Sequence, residues 1–180
     1  KFFNKDGKKF SAELEKRIET KLTQEMVAVE SINLGKATRM NDPQARYIDF
    51  CKSTFNSLDL NGLSILLDCA NGATYSVAPK VFSDLGARVE TIGSSPDGIN
   101  INQNCGSTSP NFLREEIMKG SYDIGIAFDG DGDRILIINS DGKILDGDDI
   151  LYILSKNISP DTGVVGTLMT NKALELYFEK

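Results

Sequence analysis

The stretch Ile124-Gly-Ile-Ala-Phe128-Asp-Gly-Asp-Gly-Asp-Arg134-Ile-Leu-Ile-Ile138 decides the fold of this chain. Its two apolar runs, on either side of the acids, each have the length and composition of a buried strand. Three acids separated only by glycine, and then an arginine, lie between the runs. The pattern predicts a tight loop that joins two core strands. Ligands in open α/β sheets often bind at such strand ends.

The acidic loop, residues 129–134, has the composition of a cation site. In an extended segment Asp129, Asp131 and Asp133 point to the same side. Like charges about 4 Å apart repel by roughly 4 kcal/mol at an effective dielectric near 20. We therefore expect a hard divalent cation, because Mg²⁺ and Ca²⁺ both favour oxygen ligands. Arg134 cannot ligate a cation, but its guanidinium suits a phosphate beside one. A salt bridge that braces the loop is the other role open to Arg134.

Other interpretations of the acidic loop fit less well. A solvated glycine-rich turn can carry acids incidentally, but three acids, two glycines and an arginine in register favour a site. An EF-hand loop that starts at Asp129 would need glycine and glutamate where Arg134 and Ser140 stand. A haloacid-dehalogenase-type phosphatase would use Asp129 as nucleophile and Asp131 as acid/base. Asp133, however, stands where such enzymes usually have threonine or valine.

The rest of the chain alternates between helical and strand patterns. We expect strands at 63–67, 88–92, 124–128, 135–138, 143–145 and 164–168. We expect helices to begin at Ser11, Asp42, Ser109, Asp146 and Thr170, and one to cover residues 77–85. This alternation predicts an α/β fold, a three-layer sandwich with a mixed sheet, and a long polar loop at residues 93–108.

The composition of the chain argues against several classes of function. The net charge of −6 argues against nucleic-acid binding by bulk electrostatics. No apolar stretch reaches transmembrane length and the amino terminus has no signal-peptide pattern, so we expect no membrane partner and a cytoplasmic location. The three cysteines have no metal-ligand spacing, which suits reduced thiols. Because the chain has no histidine, any acid/base work falls to carboxylates, lysine or tyrosine.

The chain resembles the α-D-phosphohexomutase superfamily over nearly its whole length. The acidic loop is similar to the metal-binding loop of that superfamily. Further similarity, some of it specific to one subfamily, lies in the segments Leu34-Gly-Lys-Ala-Thr-Arg39, Arg46-Tyr-Ile-Asp-Phe-Cys-Lys52, Asp68-Cys-Ala-Asn-Gly-Ala73, Gly98-Ile-Asn-Ile-Asn102, Cys105-Gly106, Asp146-Gly-Asp148 and Val165-Gly-Thr-Leu-Met169.

The resemblance implies an activity and a cofactor. Enzymes of this superfamily have four domains and interconvert a sugar 6-phosphate and 1-phosphate through a bisphosphate intermediate. The subfamily motifs imply glucosamine 6-phosphate as the small-molecule substrate, on the route to UDP-N-acetylglucosamine and the cell wall. By the same resemblance, Asp129, Asp131 and Asp133 bind Mg²⁺. The chemistry of phosphoryl transfer then places this Mg²⁺ against the oxygens of a phosphoserine, and we expect Arg134 to supply a second charge near the transferred phosphate.

The resemblance also implies domain boundaries. Residues 1–41 correspond to the tail of domain 1 and a connector, residues 42–158 to the metal-binding domain 2, and residues 159–180 to the start of domain 3. The phosphoserine and the sugar-recognition loop are then expected outside this chain, which alone should not catalyse the mutase reaction. Three alternatives stay open: another phosphohexomutase acting on mannose or glucose phosphates, a non-catalytic module that binds a divalent cation or phosphate, and the phosphatase.

Overall fold

A computed structural model describes residues 2–55, 57–157 and 163–179 of the chain. The chain divides into two compact units, Lys1–Met40 and Asn41–Lys180. In the first unit a β-bridge joins Phe3 to Lys9 around a tight turn. Helix α1 (Ala12–Leu22) follows, and the hydroxyl oxygen of its N-cap, Ser11, accepts a hydrogen bond from the backbone N–H of Leu14. The predicted helix start at Ser11 is confirmed.

The second unit contains one five-stranded mixed sheet. Its strands are β1 (Ser64–Asp68), β2 (Arg88–Ile92), β3 (Ile124–Phe128), β4 (Ile135–Asn139) and β5 (Ile144–Leu145). Their spatial order is β2-β1-β3-β4-β5. Strand β1 pairs in parallel with both β2 and β3, whereas the β3–β4 and β4–β5 pairs are antiparallel. The prediction of an α/β fold with a mixed sheet is confirmed.

The described residues of the second unit form five α-helices: α2 (Pro43–Ser53), α3 (Ala78–Asp84), α4 (Asn111–Lys119), α5 (Gly147–Ser155) and α6 (Lys172–Phe178). Local sequence explains two of their starts. The carboxylate of Asp42 accepts the N–H of Ala45, and proline follows at the first helical position. Asp146 and Asp149 form a reciprocal capping box at the start of α5, which satisfies two backbone donors. Helix α4 starts one residue later than predicted, with Pro110 as its N-cap.

Two apolar clusters hold the three layers together, one on each face of the sheet. Successive side chains of a strand point to opposite faces. Accordingly, Ile65 and Leu67 of β1 belong to the cluster that includes Phe82 of α3. Leu66 belongs to the opposite cluster, where it packs with Leu113 and other residues of α4. The predicted three-layer sandwich therefore has α3 on one face of the sheet and α4 on the other.

Residues 164–168 differ from the sequence prediction, because they form no strand. Val165 is 91% exposed, and none of the described residues pairs with this segment. An apolar run without a partner strand cannot satisfy its backbone groups as a strand. Helix α6 follows with Asn171 as its N-cap, and the backbone N–H of Asn171 donates to the carboxylate of Asp148 on α5 at 3.2 Å.

The domain boundaries stay predictions. The division of the chain after Met40 lies one residue before the predicted boundary at residue 41. The second predicted boundary, between residues 158 and 159, lies outside the described residues. Within the described residues, no helix has both the length and the apolar character needed to cross a bilayer.

The core of the second unit yields a stability prediction. Leu113 of α4 is fully buried between the helix and the sheet. Leu113→Ala should lower the free energy of unfolding by about 2–5 kcal/mol, because it removes buried methyl groups and leaves a cavity. The matched control is Glu115→Ala on the exposed side of the same helix, with an expected change within about 0.5 kcal/mol. Urea denaturation measures both. Equal effects of the two substitutions would contradict the position of α4.

Candidate metal centre

The acidic loop lies at the edge of the sheet where the parallel strands end. It connects β3 to β4, and β3 runs parallel to β1. The carboxyl ends of β1 and β3 are therefore neighbours, and the segments that follow β1 and β2 lie beside the acidic loop. The long loop at residues 93–108 reaches this edge, because the N–H of Ser107 donates to the carbonyl oxygen of Phe128 at 2.8 Å.

The acidic loop is a turn and not an extended segment. The three aspartates therefore come together for a different reason from the one that the sequence analysis gave. The N–H of Gly132 donates to the carbonyl oxygen of Asp129 at 3.1 Å. Gly132 has a φ of +71°, a conformation that glycine adopts without steric cost. The backbone thus folds back on itself after Asp129, and this turn brings the acids together.

The turn brings the three predicted ligands to one place. Asp129, Asp131 and Asp133 each offer a carboxylate oxygen, and the three atoms lie within 4.8 Å of one another. Asp129 is only 2% exposed, whereas Asp131 and Asp133 are exposed. One ligand is thus fixed in the protein and two face the solvent. A ligand could approach this group from the solvent side.

Arg134 is anchored to the buried member of the group. Its backbone N–H donates to Oδ1 of Asp129 at 3.1 Å, and its Nε donates to Oδ2 at 2.9 Å. Its Nη2 also lies 2.9 Å from Oδ2, and the arginine side chain is 70% exposed. Burial raises the pKa of Asp129, but the hydrogen bonds and charge of Arg134 outweigh burial and hold that pKa below its usual value.

On the exposed side of the group, repulsion between the carboxylates changes the pKa of Asp133. The negative charge of Asp131 raises the pKa of Asp133, and burial and the charge of Asp129 add to this effect. A cation held among the three carboxylates would reverse this repulsion. The electrostatics therefore favour a positive ligand at this point.

The donor set fits Mg²⁺. Mg²⁺ requires near-octahedral oxygen ligands at about 2.1 Å, so oxygens on opposite vertices are about 4.2 Å apart. The limit of 4.8 Å among the three carboxylates is close to that span. Ionised carboxylates offer about four acceptor positions each, so Asp129 can accept from Arg134 and still offer a lone pair. Asp129, Asp131 and Asp133 could therefore hold Mg²⁺ with small movements of exposed side chains.

Two neighbouring segments brace the acidic loop through backbone contacts. After β1, the N–H of Ala73 donates to the carbonyl oxygen of Gly130 at 2.9 Å. Gly72 lies so close that a Cβ on it would come 2.3 Å from the same oxygen. From the other side, Ile101 packs on Gly130, where a Cβ would lie 2.5 Å from its Cδ1. Both glycines are required by these close approaches, which the sequence analysis did not identify.

Asp68 begins a segment that the sequence analysis quoted for the family resemblance, but the sequence analysis gave this residue no role. It ends β1, is fully buried, and accepts N–H groups from Ala70 at 2.9 Å and from Gly106 at 2.6 Å. Burial raises the pKa of Asp68, and the two backbone hydrogen bonds lower it without cancelling the effect of burial. Its place at the end of an apolar run was the available signal, because an aspartate is rarely fully buried unless its carboxylate has partners.

Of the three cysteines, Cys69 lies directly after Asp68 but is unsuited to nucleophilic chemistry. All three are free, and burial raises the pKa of Cys69 to about 11. A thiol with such a pKa stays protonated near neutral pH and is a poor nucleophile.

The ion pair between Arg134 and Asp129 can be tested in metal-free protein. In Arg134→Gln the pKa of Asp129 should rise above its usual value, because burial remains after the guanidinium is lost. A group with a depressed folded-state pKa stabilises the protein above its unfolded pKa and loses that contribution as pH falls. The substitution should therefore also lessen the loss of stability on acidification. Carboxyl ¹³C titration measures the pKa, with Arg88→Gln as the control, and an unchanged Asp129 pKa would contradict the assignment.

Comparison with known proteins places the chain in a family. The family model described as phosphoglucomutase/phosphomannomutase, alpha/beta/alpha domain II, matches residues 45–142. Phosphoglucosamine mutase from Legionella pneumophila (strain Corby) is 54% identical over 98% of this chain and 40% of its own length. Phosphoglucosamine mutase from Cronobacter sakazakii is 51% identical over 98% of this chain and 41% of its own length. The chain thus spans about two fifths of the curated relatives that it matches.

A solved structure agrees with the observed fold. It is a crystal structure of a phosphoglucomutase/phosphomannomutase family protein from Burkholderia thailandensis, with 26% sequence identity and a TM-score of 0.51. The match covers 63% of this chain and 26% of the other. Together with the family model, which covers more than half of the chain, it agrees with the α/β sandwich. The chain belongs to the phosphoglucomutase/phosphomannomutase family, and residues 45–142 match the family's α/β/α domain II.

Proposed function

We propose that this chain supplies the metal-binding domain of a phosphoglucosamine mutase, which interconverts glucosamine 6-phosphate and glucosamine 1-phosphate. The observation that carries the proposal is the convergence of three carboxylates within 4.8 Å beside an exposed guanidinium. The curated relatives support the choice of reaction, because 98% of this chain aligns at 54% identity with a protein of that name. The catalysed reaction is that of the whole protein.

In this proposal Asp129, Asp131 and Asp133 hold Mg²⁺ at the reacting phosphate. Phosphoryl transfer is catalysed largely by positioning and by neutralisation of oxygen charge. When bound, Mg²⁺ supplies a Lewis acid that polarises a phosphoryl oxygen. Asp129 fixes the site to the sheet because it is buried and hydrogen-bonded, while the two exposed carboxylates can adjust to the ligand.

Arg134 has two tasks in the same proposal. Its hydrogen bonds keep Asp129 ionised, so that this carboxylate is ready to ligate at neutral pH. Its exposed guanidinium, held in one orientation by Asp129, presents a second positive charge to an incoming phosphate. The two tasks are compatible, since a guanidinium has five N–H donors and only some contact Asp129.

The proposal also includes a class of substrate and a cellular location. A small sugar phosphate is the proposed partner, in agreement with a net charge of −6 that argues against nucleic-acid binding by bulk electrostatics. We propose a cytoplasmic location, which the three free cysteines support because thiols stay reduced there.

The test is a kinetic comparison in the full-length protein that contains this chain. Conversion of glucosamine 6-phosphate should depend on Mg²⁺ and exceed the conversion of mannose or glucose 6-phosphate in kcat/KM. Asp131→Asn should lower kcat by about 100-fold or more with a small change in KM, because it weakens charge neutralisation in the transition state. The control is Asp141→Asn, which makes the same charge change in the exposed turn between β4 and β5.

Each result separates the proposal from its alternatives. A higher kcat/KM for mannose or glucose phosphates would replace glucosamine as the substrate. Release of inorganic phosphate without isomerisation would favour a phosphatase. Full activity of Asp131→Asn would contradict the role of the acidic loop.

A further inference from the structure

We propose that Asp68 is a positioning residue of the metal centre, whose buried carboxylate holds together the two loops that brace the acidic loop. The inference rests on the proposed function, because such positioning matters only if the acidic loop binds a metal ion. Asp68 itself does not belong to the group of three carboxylates. Its effect passes through backbone contacts.

The environment of Asp68 allows its carboxylate to hold two backbone segments in place. Its carboxylate is fully buried at the end of β1, and both oxygens accept backbone N–H groups, Oδ1 from Ala70 and Oδ2 from Gly106. Burying a carboxylate is costly unless its acceptor positions are used. Only a carboxylate offers acceptors on both branches, since asparagine has one oxygen and one donor group. The chemical identity of Asp68 thus matches two donors that face it.

The first loop held by Asp68 is the segment that follows β1. Ala70 and Asn71 have φ values of +54° and +46°, which are unusual for residues other than glycine. Such backbone conformations persist where the surroundings enforce them, and they cluster at functional sites. The hydrogen bond from Ala70 to Asp68 lies at the start of this strained turn. The turn ends where the N–H of Ala73 reaches the carbonyl oxygen of Gly130.

The second loop held by Asp68 is residues 93–108. Gly106, which donates to Oδ2, has a φ of +81° and directly precedes Ser107. The N–H of Ser107 donates to Phe128, the residue immediately before Asp129. Earlier in the same loop, the N–H of Asn102 donates to the carbonyl oxygen of Ala70 at 2.8 Å, which joins the two loops directly.

The two loops therefore meet at Asp68 and contact the chain immediately before and immediately after Asp129. One contacts the carbonyl of Phe128 and the other the carbonyl of Gly130, on either side of Asp129. Functional sites need their groups held within about 0.5 Å of the productive geometry. In Asp68→Asn an amide NH₂ would face one of the two backbone N–H donors. That loop should then loosen, and Asp129 with it.

The experiment measures Mn²⁺ binding to the 180-residue chain by electron paramagnetic resonance of free Mn²⁺. Asp68→Asn should raise the Kd for Mn²⁺ by about 10-fold, the lower end of the range for partners outside the ligand set. The control is Ile65→Val, equally buried near the opposite end of β1, which should change the Kd by less than about 2-fold. Urea denaturation of both variants separates lost stability from lost metal affinity. Amide NMR shifts of Gly106 and Ser107 should change in Asp68→Asn alone.

The outcomes distinguish this inference from the proposed function. A wild-type Kd in Asp68→Asn, with weakened binding in Asp131→Asn, would overturn the positioning role and leave the metal centre intact. Unchanged binding in Asp131→Asn would overturn the metal centre and this inference with it. If Asp68→Asn does not fold, Ile101→Ala decides: this side chain, in the loop that Asp68 holds, is 53% exposed and packs on Gly130, so its loss should raise the Kd above that of the Ile65→Val control. A Kd equal to that of the wild type would then contradict the inference.

Discussion

Electrostatic crowding of three carboxylates is the constraint on which the site depends. Their oxygens lie within 4.8 Å of one another, and Asp131 and Asp129 raise the pKa of Asp133. Arg134 offsets part of the repulsion through Asp129, and in our account Mg²⁺ offsets the rest. The surrounding loops resist the repulsion mechanically, because backbone hydrogen bonds fix the chain immediately before Asp129 and at Gly130.

The sheet explains why this crowding can be maintained at one edge. The change from parallel to antiparallel pairing occurs at β3, so the chain must turn back at once after β3. The acidic loop is that turn. Because β1 and β2 run parallel to β3, the segments that leave their carboxyl ends arrive at the same edge and can pack on the turn. Topology thus supplies both the ligands and their supports.

The sequence correctly predicted the features that interactions between neighbouring residues determine. The proline after Asp42 and the aspartate at position 146 predicted helix starts, and the glycine–aspartate alternation predicted a tight acidic loop. The sequence predictions were wrong or incomplete where contacts between residues far apart in the sequence determine the structure. The apolar run at 164–168 forms no strand among the described residues. The three acids converge because the loop turns, although the sequence analysis assumed an extended segment for their convergence. The burial of Asp68 and the approach of Gly72 to Gly130 depend on residues more than 30 positions away.

The most direct test of the account is a crystal structure of this chain with Mn²⁺, using anomalous scattering to locate the ion. We predict one strong peak about 2.2 Å from a carboxylate oxygen of each of Asp129, Asp131 and Asp133, with the ion pair between Arg134 and Asp129 retained. The peak should vanish in Asp131→Asn crystals treated in the same way. A peak elsewhere on the chain, or none at this loop at millimolar Mn²⁺, would contradict the assignment of the metal centre.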